Sequence, residues 1–105
     1  MTNMEMINRL SNLELELKEK VFNQTGKNSQ DALHELNKTR NLIIRYAVEM
    51  LDENDAKYKQ AVTDLADVMT TLNEAEADIH QVAQAIATTA KVLDVVEKLA
   101  AKAAA

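Results

Sequence analysis

Apolar residues recur through the second half of the chain at spacings that alternate between four and three. The series is Ala61, Leu65, Val68, Leu72, Ala75, Ile79, Val82, Ile86, Thr89, Leu93, Val96 and Ala100, and Thr89 is its one polar member. A mean spacing of about 3.5 keeps one stripe of an α-helix turned towards a partner helix, as in a coiled coil. Large side chains (Leu65, Leu72, Ile79, Ile86, Leu93) alternate along it with smaller ones (Ala61, Val68, Ala75, Val82, Val96), so neighbouring helices can approach closely.

The first half reads as two shorter helices. Met6, Ile7, Leu10, Leu13, Leu17 and Val21 share one face of the first. Thr2 and Glu5 are spaced as a capping box at its start, and Gly26 suits the left-handed position past its end. Glu14 with Lys18, and Glu16 with Lys20, are spaced as pairs on its wet side. Asn28 or Ser29 is expected to cap the second helix, with Asp31 in its first turn. Leu33, Leu36, Ile43, Ala47 and Met50 are its expected inner face. Its middle, Leu42 to Ile44 and Tyr46 to Val48, is apolar on more than one side, as in a helix lying between two neighbours.

The polar run from Asp52 to Asp55 reads as a tight turn. A reversal there lays the second helix antiparallel along 58–78, with Ile43 and Met50 against that half of the seam. The alternative is one uninterrupted helix from Ser29 onwards, since neither Gly nor Pro forbids it. No stop signal is evident between Asp55 and Ala101. The expected organisation is one helical domain, 1–105, with helices over about 3–25, about 29–52 and about 55–101.

These lengths do not match. At about 1.5 Å per residue, the third helix outruns the hairpin of the first two by roughly 30 Å. The overrunning part, 82–101, is also the most apolar, because Ala83, Ala85, Ala87, Ala90, Val92, Val95 and Leu99 widen the seam. The expected fold is therefore all-α: a helical hairpin or three-helix coiled-coil bundle with a long C-terminal helix, completed by oligomerisation. Val82, Ile86, Thr89, Leu93, Val96 and Ala100 are the expected oligomer interface.

Composition narrows the class. Hydrophobic residues make up 47% of the 105 and aromatics only 3%, so aliphatic side chains must fill the core. One Gly and no Pro leave little material for the frequent turns of a sheet protein. A net charge of −5 argues against nucleic acid, which needs a clustered excess of Lys and Arg. The absence of cysteine excludes disulfides, a thiolate nucleophile and Cys-ligated zinc. Glu5, Asn8 and Arg9 stand where a signal peptide would be apolar, and no window is free enough of charge to span a bilayer. The expected location is the cytoplasm, with secretion by a non-classical route left open.

Candidate chemistry is sparse. Glu76 and His80, and Glu74 and Asp78, are four apart on neighbouring helical faces, a spacing that suits a divalent metal. Metal-binding bundles draw such groups inward from several helices, and the first two helices offer no matching Glu-x-x-His, so no metal and no cofactor are expected. His34 lacks an accompanying nucleophile signature. Tyr46 and Tyr58 read as buried tyrosines, with a ligand pocket beside them as the alternative. Thr89 either returns its hydroxyl to a backbone carbonyl or sets helix register. Asp64, Asp67, Glu74 and Asp78 form a candidate acidic docking face for a basic partner.

The functional expectation is a non-enzymatic coiled-coil module that self-associates and binds another protein. A membrane-active protein using 82–101 is disfavoured, because that segment mixes Asp94 and Glu97 with its lysines and has no aromatic anchor. A small-molecule sensor or inhibitor is the other alternative.

Overall fold

Four helices, α1 (Met4–Asn23), α2 (Gly26–Val48), α3 (Ala56–Ala75) and α4 (Ile79–Ala104), form two hairpins in the computed structural model. It describes residues 3–48 and 54–104, with side chains as far as Lys102. α1 packs on α2 and α3, and α4 packs on the same two helices, so α2 and α3 lie diagonally across the bundle. Side chains at the end of α1 reach the end of α3, and the start of α2 reaches the start of α4. The hairpins thus stack with α1 parallel to α3 and α2 parallel to α4. The expected antiparallel lie of α2 along α3 is not what forms, because α4 takes the place beside α2. Met50 lies outside the described residues.

The seam of α1 is as the periodicity predicts: Met6, Leu10, Leu13 and Leu17 are fully buried, with Ile7 and Val21 half-buried beside them. Its cap differs. Thr2 lies outside the described residues. Asn3 stands at the cap position but sends its side-chain amide to the Tyr46 carbonyl, 3.1 Å away. The expected wet pairs are also redirected towards neighbouring helices. Glu14 faces the Arg40 Nε at 3.6 Å, Glu16 accepts from the Asn73 amide at 3.1 Å, and Lys20 is fully buried.

Gly26 does adopt a left-handed backbone, φ +62, and α2 begins at that residue. Asn28 and Ser29 therefore fall inside the first turn instead of capping it. Ser29 Oγ donates to the Val21 carbonyl at 2.8 Å, satisfying an orphan acceptor at the end of α1. The inner face of α2 is Ala32, Glu35, Leu36, Thr39, Leu42 and Tyr46, while Leu33 and Ala47 are exposed and Ile43 is half-buried. Two polar residues tolerate this burial because they are satisfied. Thr39 Oγ1 donates to the Glu35 carbonyl and Tyr46 Oη to the Val96 carbonyl, each at 2.7 Å.

Asp52 and Glu53 of the expected turn lie outside the described residues, and Asp55 caps α3 by accepting from the Lys57 N–H at 2.7 Å. The main correction follows. The expected long helix ends at Ala75 and restarts at Ile79. Glu76 has φ 50 and ψ −116, and the Asp78 N–H donates to the Ala75 carbonyl at 3.0 Å, which closes a type II′ turn. Asp78 then caps α4, its carboxylate accepting from the Gln81 N–H at 2.9 Å. An unbroken helix over 55–101 would be about 70 Å long; the molecule's longest dimension is 39 Å.

The heptad survives the break because Ala75 and Val82 remain seven apart. Of the twelve-residue series only Ile79 is exposed, at the fold-back itself; the other eleven positions are buried. α4 thus returns along α3, and a compact four-helix bundle replaces the extended three-helix one.

Candidate functional site

Val82, Ile86, Thr89, Leu93, Val96 and Ala100, the expected oligomer interface, all face the chain's own core. Thr89 is fully buried and returns its hydroxyl to the Ala85 carbonyl at 2.7 Å, the first of its two expected roles. The apolar strip that argued for self-association is therefore covered within one chain. The same packing takes up the surface a membrane-lying segment would need. Among the described residues no helix is long and apolar enough to cross a membrane.

The four acidic residues divide by role. Asp67 and Glu74, one heptad apart, are exposed on the outward side of α3. Asp64 is half-buried on its flank and accepts from the Gln60 amide at 2.9 Å. Asp78 is the cap of α4 and so belongs to the corner. Glu76 sits in the turn and His80 is exposed in the first turn of α4. No group of three metal-ligating side chains occurs among the described residues. Tyr46 and Tyr58 are buried in the core, and burial raises the Tyr46 phenol well above its ordinary value, with the Tyr58 charge adding to the shift.

The corner at 76–78 is held from the other hairpin. Lys20 and Asn23 donate to the Glu76 carbonyl, Gln24 to the Ala77 carbonyl at 3.0 Å, and Asn28 to the Ile79 carbonyl at 3.0 Å. The Glu76 and Ala77 carbonyls are left free by the turn, the Ile79 carbonyl takes its bond from Asn28 beside its place in α4, and the amide-rich end of the α1–α2 hairpin meets them one by one.

A second polar cluster lies between α2 and α4. Lys38 contacts Asp94 and stands 3.4 Å from Glu97. Burial works against the Lys38 charge, yet the hydrogen bond and charge of Asp94, with Glu35 and Glu97, outweigh it and raise its pKa. The same Lys38 hydrogen bond and charge hold the Asp94 carboxyl below its ordinary value. Glu35 differs, since burial raises its pKa against the lowering effects of Lys38 and His34.

The surface also carries large apolar side chains off the core seams, among them Leu33, which was expected on the inner face of the second helix. Met4, Leu15 and Phe22 recur at eleven and seven residues, close to whole turns, on the side of α1 opposite its seam. Leu33, Ile44 and Val48, at spacings of eleven and four, lie on the outside of α2. All six are exposed, Phe22 at 79% and Val48 at 75%, whereas α3 exposes no large apolar side chain among the described residues. The signal was present in the seven-residue spacing of Leu15 and Phe22, off the Met6–Leu17 seam.

Comparison with known proteins returned no match: no family model fits the chain, and no curated protein or solved structure matches it.

Proposed function

We propose that this chain is a non-enzymatic helical interaction module whose contact face is the outer side of the α1–α2 hairpin. The observation that carries the reading is the asymmetry of exposed apolar side chains. Six of the eight large ones lie on α1 and α2, although the core beneath them is already filled. Isolated exposed apolar residues are ordinary, but stripes at helical spacing on both helices of one hairpin suit burial by another helix or groove. Self-association uses this face and leaves the α4 seam in place. Asp67 and Glu74 on the outward side of α3 would steer a partner with basic residues.

The test replaces Leu15, Phe22 and Ile44 by Glu, singly and together. Light scattering at tens of micromolar reports self-association, and affinity capture from the producing cells reports other partners. The expected result is that the triple variant keeps its helicity and melting temperature but loses the bound species. If the unmodified chain stays alone in both measurements, or if the variants bind as it does, the proposal is wrong.

A further inference from the structure

A cleft of about 310 Å³ opens between the N-terminal halves of α2 and α4. Lys27, Asn28, Asp31, His34 and Glu35 line it from α2, with Lys27 and Asp31 paired at its rim, and the methyl groups of Ala83, Ala87 and Ala90 line it from α4. We propose that this cleft binds a primary ammonium group on a short aliphatic stem, with Glu35 as its counter-ion.

Glu35 is the reason. Its side chain is only 8% exposed, and its Oε2 is sealed from solvent with no hydrogen-bond partner among the described residues. A buried carboxylate in that state is costly unless a cation accompanies it. The neighbouring cations are engaged elsewhere. Lys38 is held by Asp94 and Glu97, and Lys27 by Asp31 at 2.6 Å. The His34 ring is mostly in solvent, with its Nε2 4.0 Å from Glu35 Oε1. The other carboxylates of the cluster, Asp31, Asp94 and Glu97, thus hold the nearby ammonium groups, with Lys98 also acting on Asp94, and none is left for Glu35 Oε2. Burial raises the Glu35 pKa, the cost that an accompanying cation would offset.

The shape selects the ligand. An ammonium supplies a compact charge and three donors, and the glutamate's last torsion is broad enough to turn either oxygen towards the opening. The alanine wall accepts a methylene stem and has no aromatic face on which a guanidinium would stack. A divalent metal would need more ligating groups than the cleft assembles.

Isothermal titration of the full chain with n-pentylamine at neutral pH tests this, with n-pentanol as the neutral control. Saturable binding of the amine in the millimolar range and none of the alcohol is expected. Glu35→Gln should weaken the amine at least about tenfold, or 1.4 kcal/mol, with the circular dichroism spectrum unchanged. Ala87→Leu, which fills the cleft and keeps the charge, should also abolish binding, so the answer does not hang on one variant. A parallel titration with Nα-acetyl-lysine methylamide distinguishes the source. Tighter binding of it points to a lysine of a partner protein, and tighter binding of pentylamine points to a free amine. Absence of saturable binding by both amines, equal binding of pentanol, or indifference to both substitutions would overturn the proposal.

Discussion

Gly26 and Glu76 carry the positive φ values found among the described residues, 62 and 50, and only one of them is glycine. At Gly26 an added Cβ would meet nothing within 4 Å, so a substitution there costs backbone strain alone. At Glu76 the first central position of a type II′ turn is occupied by a residue that the turn disfavours. Strain of this kind is worth on the order of 1–3 kcal/mol, against about 0.5–1 kcal/mol for the extra freedom of an unfolded glycine. Gly26→Ala should therefore destabilise by about 1 kcal/mol and Glu76→Gly should stabilise by a similar amount. For a chain of this size each corresponds to a shift in melting temperature of about 4–8 °C, in opposite directions. Scanning calorimetry of the two variants is the check, and shifts of the same sign would contradict the backbone assignment.

At the level of elements, the parallel α2–α4 contact contains two groups with opposite pH dependence. Asp94 has a lowered pKa, so its contribution is present above the ordinary carboxylate range and is lost as pH falls through the folded value. Glu35 has a raised pKa, so the folded state holds its proton more tightly than the unfolded chain does. Its penalty is absent below its ordinary value of 4.5 and grows as pH rises from there through the folded value. Glu35→Gln removes the penalty. The variant should melt higher than the unmodified chain at neutral pH, and the two should converge near pH 4. A difference independent of pH would mean that the carboxyl titrates normally.

For the whole molecule, the decisive question is what covers the seam of α4. In an extended three-helix arrangement, replacing Ile86 and Leu93 by Asp would give a soluble, helical monomer. In the bundle both side chains are buried inside one chain. Two unpaired charges there would cost on the order of 5 kcal/mol or more together, against a total stability of about 5–15 kcal/mol. The double variant should therefore lose cooperative thermal unfolding and most of its helicity by circular dichroism. A well-folded double variant would return the seam to the surface and with it the case for self-association through α4.

The sequence alone determined the helical class and the identity of nearly every core position in the second half. Eleven of twelve seam residues are buried, because a 3.5 repeat specifies which side of a helix is apolar whatever covers it. It also placed the left-handed glycine, since that is local chemistry. The fold-back at 76–78 was written only faintly, as the spacing of Asp78 and Gln81 in a capping motif. No Gly or Pro marks that turn, and a seven-residue step across it leaves the heptad in phase. What decided it was tertiary: Lys20, Asn23 and Gln24 satisfy the carbonyls that a strained turn sets free, and those donors lie more than fifty residues away. The rotation of α2 was decided in the same way, by the Val96 carbonyl that receives the Tyr46 hydroxyl. The Glu35 cleft has that origin too, because the carboxylate becomes buried beside a lysine held by Asp94 and Glu97 only once α4 is laid beside α2.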